Sequence, residues 1–177
     1  MAIFEPCLQR TLNFEGRNLT NTPGDAGKRT FWGISEVFNP NWLGWDIIDN
    51  CGITDPRLPN LVSLLYQSSY WNNHQLSQFT SQQLATQVFD SCVNIGDKSI
   101  EALQTLVGVK PDAVMGPDSI HAVNTTDEQE IVYGFLGWRK LYYHNDVVAK
   151  PSKAVDLNGW LSRCVIAPGT NFQGGVL

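Results

Sequence analysis

Apolar residues recur at helical spacing over most of this chain, and the main departure from that rhythm comes early. Ile3, Phe4, Cys7, Leu8 and Leu12 fall on one face of a predicted helix that ends near Glu15-Gly16. That end falls within NFEGRNLTNTPGDAGKRTFWGIS, residues 13–35, polar and dotted with glycine; its Pro23-Gly24 and Gly27 suit tight turns. Residues 30–34 read as a short extended piece, and a helix is predicted to begin near Ser35 as its N-cap. Between 39 and 60 the Asn-Pro, Asp-Pro and Leu-Pro steps allow short helical pieces at most.

From Asn60 the helical pattern resumes, with Leu61, Leu64, Leu65 and Tyr70-Trp71 marking one apolar face. Thr80-Ser81-Gln82-Gln83 resembles a capping box, opening a helix through Leu84, Val88, Phe89, Cys92 and Val93 that Gly96 ends. Short helices are predicted over 99–107 and 117–123. A long one over about 126–148 carries Ile131, Phe135, Trp138 and Tyr142. The last, about 152–166, carries Val155, Trp160 and Cys164, and the tail APGTNFQGGVL reads as frayed. Without repeats or low-complexity segments, the pattern predicts a mainly α single domain over 1–177. A small β-hairpin or irregular lobe is expected near its N-terminus.

Composition narrows the possibilities. With 177 residues, 42% of them hydrophobic, the chain can bury one sizeable core and is not a disordered segment. Six Trp and eight Phe suit that core or a sugar-binding cleft. A net charge of −5 without any Lys/Arg cluster argues against nucleic acid or anionic lipid as partners. The longest nearly apolar run, 131–138, is too short to span a bilayer, so no stable membrane insertion is expected. MAIFEPCLQR carries an acid and a proline where a signal peptide needs a basic patch and an apolar stretch. Synthesis in the cytoplasm is therefore expected, with outside help for any export. Cys7, Cys51, Cys92 and Cys164 are spread singly, with no spacing suited to zinc, and are expected to stay reduced. His74, His121 and His144 are scattered and read as surface residues.

The polar excursion carries the candidate chemistry. Glycoside hydrolysis needs an acid to protonate the leaving oxygen, and usually a second carboxylate to position water or stabilise the oxocarbenium-like centre. Glu15 closes an apolar helix, Asp25 sits ten residues on in the returning loop, and Thr30 could hold a water. The plain reading of the same residues is a helix-end acid followed by Gly and a turn-forming Asp. Asp90 lies among Val88, Phe89 and Cys92 and requires a cation. Arg163, in the apolar setting of the last helix, requires an anion. Asn94 reads either as a contact for an acetamido group or as a helix C-terminal cap beside Gly96. Trp32, Tyr70 and Trp71 suit sugar stacking or core; Trp32, on the return of the loop, is the better sugar-facing candidate, and Trp71 reads as core.

Taken in order, these residues resemble glycoside hydrolase family 108, the N-acetylmuramidases of phages and bacteria with a helical lysozyme architecture. Glu15-Gly16-Arg17-Asn18 and Trp32-Gly33-Ile34-Ser35 are similar to the family's Glu-Gly-Gly-Tyr and Tyr-Gly-Ile-Thr. Phe89-Asp90-Ser91-Cys92-Val93-Asn94-Ile95-Gly96 resembles its Phe-Asp-x-x-Val-Asn-x-Gly, and Gly159-Trp160-Leu161-Ser162-Arg163 its terminal Gly-Trp-x-x-Arg. Ala102-Leu103-Gln104, Gly108-Val109 and 112–117 look like the peptidoglycan-binding region that accompanies the family. The resemblance implies a catalytic part over 1–95 and a peptidoglycan-binding helical region over 96–170.

It further implies Glu15 as general acid with Asp25 and Thr30 in support, and its terminal Gly-Trp-x-x-Arg makes Arg163 the expected partner of Asp90; Trp32, Tyr70 and Asn94 remain the substrate-contact candidates read from the residues themselves. The implied protein is a monomeric endolysin without metal or cofactor. It would be made in the host cytoplasm and reach periplasmic peptidoglycan once the inner membrane is permeabilised. A lytic transglycosylase and a non-catalytic wall-binding or virion protein are the rival readings; Asp25 favours hydrolysis over the first. Three departures from the family pattern stand out, one of them Lys28-Arg29 in the loop, expected to contact the peptide carboxylates or lactyl ethers of peptidoglycan. Arg17 places a cation two residues from the acid, expected to point to solvent or substrate, and Asp112-Ala113 replaces an Asp-Gly turn.

Overall fold

The computed structural model describes residues 1–21 and 29–166. Asp25, the Pro23-Gly24 and Gly27 turns, Lys28 and the tail from Ala167 lie outside the described residues. The chain forms two compact units, one of residues 8–69 and one of residues 1–7 with those from 70 onward. Helix α1 (Phe4–Glu15) gives its first turn to the latter and the rest to the former.

In the unit of 8–69, α1 runs into an antiparallel sheet of β1 (Leu19–Asn21), β2 (Arg29–Phe31) and β3 (Ile34–Ser35), in that order. The register pairs Leu19 with Phe31, Thr20 with Thr30, and Phe31 with Ile34. The β2–β3 connection is therefore the two residues Trp32-Gly33, with φ of 49° and 77°. Positive φ at both central positions is the type I′ geometry that matches strand twist. Gly33 adopts it without strain, whereas Trp32 does not. No helix begins at Ser35, because that residue ends β3 as the partner of Thr30. The next helix, α2 (Gly44–Cys51), follows a stretch organised by Trp45, whose indole donates to the Asn39 carbonyl at 2.8 Å. Arg29 ties sheet to helix: it bridges Glu36 (2.8 Å) and Asp49 and lies 5.1 Å above the Trp45 ring.

Helix α3 (Leu58–Tyr66) buries Leu58, Val62 and Tyr66. The expected face of Leu61, Leu64 and Leu65 is not the core face; Leu64 is exposed and the other two are half-buried. The helix starts earlier than Asn60, with Pro59 in its first turn where no backbone N–H is needed, and this sets a different i, i+4, i+8 stripe inward.

The other unit is built on α4 (Gln82–Ile95), in which every residue from Gln83 to Cys92 is buried. Its N-cap is Ser81, accepting from the Leu84 N–H at 3.0 Å. No reciprocal box forms, since the third helical residue is Leu84 and Gln82 reaches instead to Ile3 and Cys7. Phe4 and Trp71 pack on Phe89, and Cys7 contacts Thr86 at 3.3 Å. Helices α5 (Lys98–Leu106) and α7 (Glu128–Ala149) pack on α4 and on each other, with α6 (Pro117–Thr125) on α5 and α8 (Leu157–Arg163) on α7. A 3-10 segment, Pro151–Asp156, occupies the expected first half of the last helix, so Val155 is exposed. On α7 the buried face runs from Ile131 and Phe135 to Arg139 and Tyr143, leaving the expected Trp138 and Tyr142 half-buried.

The Asp-Gly turn is kept in form: Ala113 takes φ 62°, and buried Gln104 accepts from the N–H groups of Asp112 (2.9 Å) and Ala113 (3.0 Å). His74 is buried, not on the surface. Desolvation lowers its pKa from the usual value and Asp97, at 3.9 Å, opposes that shift.

Candidate active site

Glu15 is the last residue of α1, half-buried, and Gly16 follows at φ 75° to turn the chain toward β1. Its side chain lies against the Trp32-Gly33 turn. A Cβ placed on Gly33 would fall 2.9 Å from Glu15 Cγ, 3.0 Å from Glu15 Oε2 and 2.5 Å from the Tyr66 hydroxyl. Only glycine permits that approach, which explains the residue at this position beyond its backbone angle. The Tyr66 hydroxyl donates to the Trp32 carbonyl at 2.9 Å from a ring that is almost wholly buried.

Trp32 is half-buried and stacked on Phe31, with ring centroids 5.5 Å apart. The Arg17 guanidinium sits 5.3 Å from the Trp32 ring and donates to Gln9 at 3.2 Å, so Arg17 turns onto the aromatic surface of the turn. Thr30, half-buried, lies on the middle strand, where its carbonyl accepts from Thr20 Oγ1 at 3.4 Å. Glu15, Thr30 and Trp32 thus belong to one unit. Tyr66 and Gly33 are the members of this arrangement that sequence reasoning missed; the Leu58, Val62, Tyr66 spacing was the available signal for the first.

The remaining candidates belong to the other unit. Tyr70 is half-buried, edge-on to Phe89 at 6.5 Å. Asn94 is exposed and donates to the Asp90 carbonyl of its own helix at 2.8 Å, while Gly96 at φ 83° forms the C-cap. Asp90 is fully buried and accepts from Arg163 at 2.9 Å and also from Arg139. Arg139 was not anticipated. Its other donors reach Gln87 at 3.2 Å and the Tyr143 hydroxyl at 3.1 Å. Burial works against its charge, but the attraction of Asp90 and Tyr143 outweighs it and the pKa is raised. Each buried charge here has a partner, as burial demands.

Among the described residues no cluster of His, Cys, Asp and Glu suits a metal ion, and no helix is long and apolar enough to cross a membrane. The helical architecture with its small antiparallel sheet after α1 is a lysozyme-like fold. The chain belongs to a family of glycosidases: the model described as Glycosyl hydrolase 108 matches residues 8–96. Among solved structures, that of Brucella abortus SagA has a TM-score of 0.67 at 19% identity, covering 91% of this chain and 92% of that one. No curated protein matches the chain.

Proposed function

We propose that this glycosyl hydrolase acts on bacterial peptidoglycan, as an N-acetylmuramidase cleaving the β-1,4 bond between N-acetylmuramic acid and N-acetylglucosamine. The observation that carries the reading is the Glu15 carboxylate, lodged at the end of α1 against the Trp32-Gly33 turn. A general acid must be held at a fixed point beside the leaving oxygen, and this packing supplies the fixed point.

In this reading Glu15 gives its proton to the glycosidic oxygen as the C1–O bond breaks. Asp25 supports the developing positive charge or the attacking water, and Thr30 orients that water. Water adds at C1 and passes its released proton to one of these two carboxylates, so one glycan strand becomes two. Trp32 offers a ring for sugar stacking; Tyr70 and Asn94 are further candidates for glycan contacts, and 96–170 for peptidoglycan binding. The biological role that suits this activity is that of a monomeric phage endolysin, made in the host cytoplasm and reaching the wall after membrane permeabilisation.

Glu15→Gln tests the assignment. The variant is expected to melt like the wild type and to lose at least about 10²-fold in turnover on purified sacculi. Near wild-type turnover at equal protein concentration would overturn it. Mass spectrometry of the released muropeptides identifies the bond: reducing muramic ends support the muramidase reading. Anhydro ends would make the enzyme a transglycosylase, and sacculus binding without release would make it a wall-binding protein.

A further inference from the structure

Tyr66 has no role in the chemistry above, yet its hydroxyl and the Glu15 carboxylate converge on the same small volume over Gly33. We propose that Tyr66 is a positioning residue for Glu15, acting through the Trp32-Gly33 turn; the proposal rests on Glu15 being the general acid.

The turn requires holding. An aromatic residue at φ 49° persists only where its surroundings over-determine it. The restraint from the core side is the Tyr66 hydrogen bond to the carbonyl of the peptide that joins Trp32 to Gly33. Tyr66 is 1% exposed, so the buried ring gives its hydroxyl a fixed origin from which to bond that carbonyl. The bond fixes the plane of that peptide, and the Gly33 end of the same peptide is the wall against which Glu15 Cγ and Oε2 lie. Removing the hydroxyl frees the turn to relax toward an unstrained backbone, and the wall behind the acid shifts with it. A displacement of about 1 Å in a reacting group lowers turnover by up to roughly 10²-fold. The sequence of events is mechanical: Tyr66 holds the peptide, the peptide holds Glu15, and Glu15 donates the proton.

A misplaced acid affects only substrates whose leaving group needs that proton. Dinitrophenolate departs as an anion without protonation, whereas a sugar alcohol does not. The test therefore compares native glycan strands with the dinitrophenyl glycoside of N-acetylglucosaminyl-N-acetylmuramic acid, for wild type, Glu15→Gln, Tyr66→Phe and Gly33→Ala. Gly33→Ala disturbs the same wall from the other side, since its Cβ would collide with both Tyr66 and Glu15.

Tyr66→Phe and Gly33→Ala are expected to lose about 10- to 100-fold in kcat on native strands. On the aryl glycoside they should stay within about threefold of wild type, following the pattern of Glu15→Gln with a smaller amplitude. An equal loss of both substrates in Tyr66→Phe would reduce Tyr66 to a structural residue and overturn the proposal, as would no loss at all. If Glu15→Gln itself turns over native strands normally, or wild type leaves the aryl glycoside intact, the muramidase reading fails first, and the Tyr66 proposal falls with it.

Discussion

Asp90 is one buried carboxylate facing two guanidinium groups, and the cluster is asymmetric. Arg139 is completely buried and spends its donors on Asp90, Gln87 and Tyr143, whereas the Arg163 side chain keeps 8% exposure and reaches the other carboxylate oxygen. Deleting one partner of a buried pair costs roughly 3–5 kcal/mol because the other charge is stranded. Either variant leaves Asp90 one guanidinium, so the order rests on the rest of the cluster: Arg139→Ala also strands buried Gln87 and the Tyr143 hydroxyl and is expected to cost more than Arg163→Ala. Lys150→Ala, on an exposed residue, should stay within about 0.5 kcal/mol. Urea unfolding of the three variants checks the order; equal stability of Arg139→Ala and Lys150→Ala would remove the cluster from any account of the fold. Asp90 and Arg163 each advertised a missing counter-charge in the sequence. Arg139 did not, because a single arginine within a long helix has no local mark of burial.

At the scale of elements, two backbone devices stand out. Ser81 closes the start of α4 with its bond to the Leu84 N–H, and α4 is the helix buried on all sides. Losing such a cap costs about 1 kcal/mol, so Ser81→Ala should lower unfolding free energy by that amount with an unchanged denaturant slope. Ala113 has the opposite sign. At φ 62° it bears the strain of a left-handed residue while Gln104 clasps the turn around it. Ala113→Gly should therefore stabilise by about 0.5–1 kcal/mol, the relief of strain exceeding the added chain entropy. A destabilised glycine variant in a thermal melt would contradict that account. Helix existence along 82–149 followed closely from apolar spacing, yet inward faces were misjudged on α3 and on the second half of α7. In both, the misjudged turn holds a buried side chain whose polar atom bonds to a residue far away in sequence, Tyr66 to the Trp32 carbonyl and Arg139 to Asp90, which apolar counting does not register.

Buried groups also set how the whole molecule responds to its medium. His74 is buried, and desolvation is the main cause that holds its pKa below the ordinary imidazole value of about 6.5. The unfolded chain then binds a proton at a higher pH than the folded one. Stability from this residue is present above about pH 6.5 and declines as pH falls from there toward the lowered folded value. Replacing it with Phe, which cannot titrate, should flatten the melting temperature between about pH 6.5 and 5; an unchanged slope would exclude His74 as the source. Thiol chemistry reports on the core in the same way. Cys51 is exposed, close to the Arg57 guanidinium at 3.3 Å, while Cys7, Cys92 and Cys164 are buried. Alkylation without reductant should label one cysteine in the native protein and four in denaturant, read by intact mass.

What the sequence determined by itself is the helical class, the succession of helices from 82 onward, the extended excursion after α1, and the acid at its threshold. These are local properties: spacing, caps and turn residues act over a few positions, so they are legible one after another. The tertiary structure decided which polar residues go inside. His74, Gln104 and Arg139 are buried although nothing in their immediate neighbours distinguishes them from surface residues, and Tyr66 is buried with only the Leu58, Val62, Tyr66 spacing to announce it. Each is stabilised by a group remote in sequence or by a close-packed setting, and those partners exist only once the chain has folded. The same holds for the wall behind Glu15. Glycine at 33 could be read as a turn former, but its service to the acid required α1, the β2–β3 turn and α3 to be brought to one place, where a missing Cβ becomes room for a carboxylate and a hydroxyl.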